Sequence, residues 1–336
     1  MVKIRLLLVN YNNSSLVGEL LKRSYNVSIA NTRVHRLNLS ISDKFDLIYF
    51  AKFAWSRCDD IDILFAKDKK NMIYGLHGLP VSFRPYRPLN YVDMTISFTK
   101  LLYLKLAKPK IGIHALNTDD YRRLKAFKFR CYYSPLGVDT KFFKPGAKKE
   151  DFTVVFVSPR FQKGADMLPR ILPMVLKKAS NIKFVLTGEG FLSNYFEVLK
   201  DHFSSNVEVC ERLPQDEFVK LFSSSHLLLF PSRWETFGLV VLEALSSGMP
   251  VVCYDIVGAA RDIVKKYSMG YVAKPYHTEE VAKGVLHYYS LWRDRRERYN
   301  ELSDKCRDIA LRYDWSIVAG YFDLMFKKTL SYRGQL

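Results

Sequence analysis

Short apolar runs bounded by turn residues recur along the chain, at a spacing typical of alternating strands and helices. In the first half, the runs that predict strands are Lys3–Asn10, Asp46–Phe50, Asn71–Leu76, Val92–Ser97, Lys110–His114 and Cys131–Ser134. In the second half, they are Thr153–Ser158, Lys183–Thr187, Val207–Cys210, Leu227–Phe230 and Pro250–Tyr254. Most of these runs are continuously apolar, which favours parallel sheets covered on both faces. Each half is therefore predicted to be a doubly wound α/β unit.

Two further segments complete this pattern. Apolar residues recur at helical spacing over Ala165–Ser180, where Pro169 and Pro173 are expected to distort the predicted helix. The segment 135–146, followed by the charged run Lys148–Asp151, is rich in turn residues. We predict that it links two domains.

Composition restricts the class of protein. The 336 residues are 48% hydrophobic and 26% charged, a globular composition long enough for two domains. No apolar run approaches the ~18 residues of a membrane-spanning helix, and residues 1–10 predict a strand rather than a secretory signal. The five cysteines are Cys58, Cys131, Cys210, Cys253 and Cys306. They form no CxxC pair, so neither a disulfide framework nor a zinc site is predicted, and a reducing, cytoplasmic location is favoured.

Positive charge is concentrated in the first half of the chain. The net charge is +18, of which residues 1–150 contribute +15 and residues 151–336 contribute +3. A basic half indicates an anionic partner such as nucleic acid, a phospholipid surface or a phosphorylated substrate. The basic residues are scattered, so solubility alone is an equally open interpretation.

Residues 227–252 carry the strongest chemical pattern. They predict a buried strand, a turn, a helix that begins near Phe237, and a second strand after Gly248. A helix that follows the carboxyl end of a parallel strand presents free N–H groups and the positive end of its dipole, which together bind anions. Gly238 would let a phosphate approach the backbone closely.

Two glutamates, Glu235 and Glu243, bracket this anion site. Eight helical residues span ~12 Å, so the two carboxylates are expected to lie on either side of the amides near Gly238 and Leu239. That length suits a sugar, a diphosphate and a ribose in that order. A single glutamate here would be read as a surface carboxylate or a helix cap, whereas the pair within this pattern predicts a nucleotide-sugar site.

The same stretch resembles the E-x7-E signature of glycosyltransferase family 4, the retaining enzymes of the GT-B fold. The matching positions are Pro231-Ser232, Glu235, Phe237-Gly238-Leu239, Leu242-Glu243-Ala244, Gly248 and Pro250-Val251-Val252. Further matches in the family's order are Leu136-Gly137-Val138-Asp139, Arg160 with Lys163-Gly164, Leu186-Thr187-Gly188-Glu189-Gly190, Gly258-Ala259-Ala260 and Gly270-Tyr271-Val272. The resemblance covers residues 130–320 well and the earlier residues only in outline.

The resemblance implies roles for the matching residues. Arg160 and Lys163 would neutralise the donor's diphosphate, and Glu235 would bind hydroxyls of the donor sugar. Glu243 would bind the ribose, and the base would lie near Arg212 and Leu213. The residues implied as donor-binding are Arg160, Lys163, Leu213, Glu235, Phe237, Gly238, Leu239 and Glu243, and those implied as catalytic are His77, Glu235, Arg160 and Lys163. Neither a cofactor nor a metal is expected, because fixed cations and helix amides can stabilise the leaving diphosphate.

Two histidines compete for the active-site position that the family places after a strand of the first domain. His77 follows the predicted strand Asn71–Leu76, and His114 lies at the end of another. His77 ranks first, because the context of His114 resembles a position before a family helix that usually carries serine. The chain departs from the family in its first loop, where residues 10–15 replace the usual glycine pair. Residues 160–163 are also shorter than the family's basic loop.

We therefore predict an α/β protein of the GT-B fold, with two Rossmann-like domains facing across a cleft. The first would span residues 1–140, with a C-terminal helix of residues 316–336 packing back on it, and the second residues 145–315. The predicted function is retaining, metal-independent transfer of a hexose from a UDP- or GDP-sugar to a glycan or lipid-linked acceptor. The alternatives are an inactive GT-B module that binds nucleotide sugars and a basic nucleic-acid-binding protein. A dehydrogenase is disfavoured because no GxGxxG follows the first strand.

The acceptor side rests on the basic first half. Aromatic and basic residues interleave between Lys52 and Arg130, an arrangement suited to an anionic membrane surface. They include Phe53, Trp55, Phe83, Arg84, Tyr86, Arg87, Tyr91, Lys100, Tyr103, Lys105, Lys108 and Lys110. We therefore expect a cytoplasmic protein that associates peripherally with the cytoplasmic membrane face, and no nucleic-acid partner.

Overall fold

The computed structural model of the chain describes residues 3–9, 13–30, 44–51, 71–77, 99, 102, 105–106 and 111–331. The predicted strand Val92–Ser97 lies outside these residues. The described chain forms two compact units. The first contains the residues up to Gly137 together with those from Trp315 onward, and the second is Val138–Asp314.

The first unit contains a six-stranded, wholly parallel sheet in the order β2-β1-β3-β4-β5-β6. Its strands are β1 (Ile4–Val9), β2 (Tyr25–Ala30), β3 (Leu47–Ala51), β4 (Met72–Gly75), β5 (Gly112–Ala115) and β6 (Cys131–Tyr133). Every residue of β3, β4 and β5 is buried. These are the continuously apolar runs, which are buried because helices cover both faces of a parallel sheet.

The second unit contains another six-stranded parallel sheet, in the order β12-β11-β10-β7-β8-β9. Its strands are β7 (Thr153–Val157), β8 (Lys183–Thr187), β9 (Val207–Cys210), β10 (Leu227–Phe230), β11 (Val251–Tyr254) and β12 (Gly270–Ala273). Counted from β7, this is the 3-2-1-4-5-6 order of nucleotide-binding doubly wound sheets. The order reverses between β7 and β10, so the loops after these two strands flank the position where such sheets bind ligands.

The α-helices, numbered in chain order over the described residues, are α1 (Ser14–Leu21), α2 (Thr118–Ala126), α3 (Leu168–Leu176), α4 (Ser193–His202), α5 (Gln215–Ser224), α6 (Leu239–Ser246), α7 (Thr278–Asp294), α8 (Arg296–Leu311) and α9 (Trp315–Leu330). Asn13 caps α1 and Asn117 caps α2, each accepting a backbone N–H at 2.8 Å. Such side chains satisfy amide groups that the first turn leaves without a partner. Within the described ranges, no helix is long and apolar enough to cross a membrane.

Two parts of the predicted pattern differ from the structure. The strands β2 and β12 were not predicted, because polar residues interrupt the apolar ones in β2 and β12 is a four-residue strand that begins with glycine. The predicted helix Ala165–Ser180 is shorter. It begins as a 3₁₀ turn at Ala165–Met167 and continues as α3, which carries Pro169 in its first turn and Pro173 inside.

Candidate active site

Two loops of the second unit bring the predicted donor-site residues to one edge of the sheet. The loop after β7 carries Arg160 and Lys163, and the loop after β10 carries Glu235. Because β7 and β10 are adjacent parallel strands, their carboxyl ends meet at the same edge. The predicted basic pair and the first predicted glutamate therefore lie at the switch point of the sheet.

The basic loop folds as a 3₁₀ turn, Phe161–Lys163, which ends at Gly164 with φ +82°. A β-carbon at Gly164 would collide with the carbonyl oxygen of Pro231 in the neighbouring loop. Gly164 therefore satisfies two requirements, a left-handed backbone and close contact between the loops. The predicted Lys163-Gly164 pair thus ends the turn at the place where the two loops touch.

Arg233 binds the two loops together. Its side chain is only 7% exposed and makes a bidentate ion pair with Asp166, with both N···O distances 2.7 Å. The same guanidinium donates to the carbonyl oxygen of Phe161 and lies 3.7 Å from the centre of that ring. The backbone N–H of Arg233 donates to the carbonyl of Gln162 at 2.8 Å. These contacts fix the turn that carries Lys163.

Replacing Arg233 by methionine is expected to lower the free energy of unfolding by about 2–3 kcal/mol. The substitution leaves Asp166 without its cation, whereas the Phe161 carbonyl keeps the Gly164 N–H as a donor. Breaking a fully buried ion pair costs about 3–5 kcal/mol. The expected loss is smaller than that of a fully buried pair because 26% of the Asp166 side chain remains exposed. Urea denaturation measures the change, with Arg170→Met on the exposed face of α3 as the matched control. A loss no larger than that of the control would show that the pair does not stabilise the unit.

Lys163 and Glu235 form an ion pair between the side-chain nitrogen Nζ and Oε1. The Glu235 side chain is 9% exposed and that of Lys163 is 22% exposed. Lys163 also lies 5.7 Å from the centre of the Phe230 ring, at the end of β10. A carboxylate this deeply buried needs a charged partner, and Lys163 supplies that partner for Glu235.

The helix α6 begins at Leu239, two residues later than predicted, with Gly238 at its N-cap and φ +90°. Glu235 therefore lies in the loop before the helix. The prediction that the residues from Glu235 to Glu243 are all helical is wrong. The helix begins late because Phe237 is held outside it. Its ring is 2% exposed, and its carbonyl accepts the Ala259 N–H at 2.6 Å.

Glu243 lies in α6, one turn beyond its start. Burial raises the pKa of its carboxyl to about 7, and the positive charge of Lys163 opposes that rise. A group with such a pKa changes its ionisation near neutral pH. Glu243 is thus the acidic group of this helix whose charge a bound ligand could readily alter.

Two further residues predicted for the donor site, Arg160 and Leu213, lie in neighbouring loops. Arg160 is exposed, and its Cγ lies close to Gly190 in the loop after β8, where an added β-carbon would be 2.8 Å away. Leu213 is partly buried in the loop between β9 and α5. These positions place both residues in loops at the carboxyl ends of strands, where ligands of doubly wound sheets bind.

The two predicted histidines occupy one cluster in the first unit. His77 follows β4, and His114 lies within β5, fully buried. The Tyr49 hydroxyl lies 2.8 Å from Nε2 of His77 and 2.8 Å from Nδ1 of His114. Burial lowers the pKa of His77 to about 3 and that of His114 to about 4. Both imidazoles are therefore neutral at physiological pH.

Sequence reasoning missed three residues of these sites, Arg233, Asp166 and Tyr49. The sequence does indicate Arg233, because an arginine two residues before a predicted site glutamate is a candidate for an ion pair near the site. Asp166 and Tyr49 gave no local signal, because each acquires its partner only through folding. The structure thus adds the Arg233–Asp166 ion pair and the contacts of Tyr49 with the two histidines to the predicted residues.

The comparison with known families assigns the chain. The model of the family described as "Glycosyl transferases group 1" matches residues 138–305, half of the chain. The chain therefore belongs to the group 1 glycosyltransferases. An uncharacterised glycosyltransferase from Methanocaldococcus jannaschii is 30% identical over 177 residues, which is 52% of this chain and 44% of that protein. The matched part thus spans less than half the length of that relative.

Solved structures share the fold of the chain. Sucrose-phosphate synthase from Thermosynechococcus elongatus gives a TM-score of 0.79 at 13% identity, covering 97% of this chain and 99% of that one. HepE from Anabaena, solved in complex with UDP and glucose, gives 0.72 at 15% identity, covering 97% and 100%. The predicted α/β class and GT-B fold are confirmed by two parallel six-stranded sheets of this kind. The nucleic-acid alternative receives no support from the family or the fold.

Proposed function

We propose that the chain is a retaining glycosyltransferase of family 4, which uses the E-x7-E pair to transfer a hexose from a UDP- or GDP-sugar. The observation that carries the proposal is the Lys163–Glu235 ion pair at the edge where β7 and β10 meet. A cation and a carboxylate held together suit a donor that presents a diphosphate beside sugar hydroxyls. The UDP and glucose bound to HepE, which shares the fold, agree with this ligand class.

The proposed reaction breaks the bond between the anomeric carbon and the leaving phosphate oxygen. The acceptor oxygen bonds to that carbon from the same face, and its proton passes to the departing phosphate, so the configuration is retained. Arg160 and Lys163 neutralise the growing negative charge, assisted by the amides at Gly238 and Leu239. In this proposal no metal takes part, since these fixed charges do the work that a cation would do.

The remaining residues bind the donor in the proposal. Glu235 accepts hydrogen bonds from the sugar, Glu243 accepts them from the ribose, and the base lies near Leu213. His77 is the proposed catalytic histidine. The roles follow the order of a nucleotide sugar along the loops after β7, β9 and β10.

Donor hydrolysis tests the proposed function. The purified chain is incubated in EDTA with UDP- and GDP-linked glucose, galactose, N-acetylglucosamine and mannose, and released nucleoside diphosphate is measured. We expect release from at least one donor, and the anomer of the freed sugar should match that of the donor. Release only after magnesium or manganese is added would contradict the metal-free mechanism. Binding of UDP or GDP without release would favour the inactive module.

The acceptor is proposed to be a glycan or lipid-linked molecule presented at an anionic membrane surface on the cytoplasmic side. Most of the aromatic and basic residues that motivate this lie outside the described residues, namely Phe53, Trp55, Phe83, Arg84, Tyr86, Arg87, Tyr91, Lys100, Tyr103, Lys108 and Lys110. Lys105 is described, and it donates to the Phe127 carbonyl at 2.6 Å inside the first unit. Leu102 and Leu106, one helical turn apart, are 42% and 73% exposed and support an apolar contact.

Sedimentation with liposomes is expected to show binding to anionic vesicles and little to neutral ones. Because charges are screened over ~8–10 Å at physiological ionic strength, the binding should fall as salt rises. At a given salt concentration, Leu106→Ser should weaken vesicle binding. The control Leu311→Ser, which replaces an exposed leucine of the second unit, should not. Equal binding to both vesicle types, or to neither, would reject the membrane surface and leave a water-soluble anionic acceptor.

A further inference from the structure

An apolar groove lies between α3 and α4 of the second unit, and it contains a cavity of about 500 Å³. One wall of the cavity includes Pro169 and Pro173 of α3, and the other includes Tyr195, Val198 and His202 of α4. Residues three, four or seven apart share one face of a helix, so each wall is a strip along one helix. None of the described lining residues belongs to the candidate active site.

The α4 wall exposes large apolar side chains. Val198 is 66% exposed and Tyr195 is 46% exposed, while Phe191, in the loop just before α4, is fully exposed. The three residues recur at intervals of four and three, and a row of exposed apolar side chains marks an interaction surface. A small molecule in the cavity would leave Phe191 uncovered, because Phe191 does not line the cavity. The row therefore suits an elongated partner with the same repeat, which is another helix.

The α3 wall is rigid. Proline side chains lose no rotamer freedom when a partner covers them, and Pro173 lies inside the helix, where the backbone fixes its position. Pro169 lies in the first turn of the same helix. A wall that is already ordered lowers the entropic cost of binding.

Charges of opposite sign border the two walls. Arg170 and Lys177 are exposed on and just after α3, seven residues apart and therefore on one side of it. Glu197 and Asp201 are exposed on α4, four residues apart. Lys200 lies 3.6 Å from Glu197, so part of this acidic charge is already balanced. A helix in the groove would thus meet a basic border on one side and an acidic border on the other.

The two borders distinguish between kinds of partner. An anionic membrane would attract Arg170 and Lys177 but repel Glu197 and Asp201. A second copy would place a concave groove against a concave groove, which leaves the cavity without contacts. A helix with an apolar face, one acidic flank and one basic flank matches the walls, the cavity and both borders.

We propose that the groove between α3 and α4 binds an amphipathic helix of a partner protein. The acidic flank of that helix lies along Arg170 and Lys177, and its basic flank lies along Glu197 and Asp201. Apolar contact with the exposed side chains of α4 supplies most of the affinity, because exposed ion pairs contribute little. The charged borders select the partner. This interaction is separate from glycosyl transfer and does not depend on the proposed function.

Fluorescence anisotropy with synthetic helices and the full chain tests the proposal. The probe is a labelled peptide of about 14 residues, or four turns, held helical by a covalent staple on its outer face. It carries leucines on its inner face, glutamates on one flank and lysines on the other. Two comparison peptides keep the leucines but carry glutamate, or lysine, on both flanks. We expect the mixed peptide to bind about fivefold more tightly than either, because a uniform flank meets a like charge along one border.

Variants of the groove locate the binding site. Val198→Asp places a charge on the apolar wall and should weaken binding of the mixed peptide by about tenfold or more. The matched control is Leu324→Asp, at an exposed leucine of α9 in the first unit, which should leave binding unchanged. Tyr195→Ala removes apolar contact without adding charge and should also weaken binding. Replacing both Glu197 and Asp201 by lysine should shift the preference to the peptide with two acidic flanks.

Three results would overturn the proposal. The first is failure of the mixed peptide to bind, or equal binding of all three peptides. The second is a dimer in sedimentation velocity that Val198→Asp dissociates and Leu324→Asp leaves intact, which would assign the groove to a second copy. The third is binding to anionic vesicles that Val198→Asp abolishes and Leu324→Asp preserves, which would assign the groove to lipid.

Discussion

Replacing Arg160 or Lys163 by alanine is expected to lower kcat by about 10²-fold or more, because each proposed charge acts on the leaving diphosphate. Negative charge grows on that group as the glycosidic bond breaks, so a cation stabilises the transition state more than the bound donor. For Arg160→Ala, the loss should therefore appear mainly in kcat and only weakly in KM. Steady-state kinetics with a donor identified by the hydrolysis assay measures both constants.

The two variants differ in their structural consequences. Arg160 is exposed, so its removal leaves the described contacts of the site in place. Lys163→Ala also leaves the buried carboxylate of Glu235 without its cation, so this variant should bind the donor less well. The matched controls are Arg170→Ala and Lys178→Ala, exposed cations in and after α3. Near-normal kcat in both site variants, with thermal stability preserved, would remove these residues from the proposed mechanism.

Replacing Glu243 by alanine is expected to weaken nucleoside diphosphate binding by about 1–3 kcal/mol, or roughly 5- to 150-fold in Kd. The physical reason is the loss of hydrogen bonds from the ribose hydroxyls to a charged acceptor inside a low-dielectric site. Calorimetric titration with UDP and GDP measures the effect. The control is Glu301→Ala, an exposed glutamate of α8. Equal affinity of Glu243→Ala and the wild type would exclude this residue from the ribose site.

The same residue predicts the pH dependence of binding. With its pKa near 7, the free Glu243 carboxyl is about half protonated at neutral pH. Ribose hydroxyls donate to the ionised form, so binding favours that form and releases a proton. Affinity should therefore rise as pH increases through about 7, and Glu243→Gln should remove this part of the dependence. Because the diphosphate of the ligand also titrates, the test compares how the affinities of the wild type and Glu243→Gln change with pH.

The sequence by itself determined the fold class. Buried parallel strands need apolar side chains on both faces, so strands such as β8 and β10 are continuous apolar runs that sequence alone reveals. The strands β2 and β12 were not predicted, because polar residues alternate with apolar ones in β2 and β12 is a four-residue strand that begins with glycine. The sequence also singled out Lys163 and Glu235 as candidates, and the structure pairs them in loops at the carboxyl ends of two adjacent strands.

Only the tertiary structure decided how those residues are held. Arg233 and Asp166 are 67 residues apart in the chain, and Tyr49 and His114 are 65 apart. No local pattern fixes such pairings, because they depend on which strands become neighbours and in what register. The carboxyl of Glu243 acquires a pKa near 7 only through the burial of its position in α6, and Tyr49 meets His77 and His114 only because β3, β4 and β5 become neighbours. Residue type and spacing specify which groups are available, whereas packing determines their charge, direction and partners.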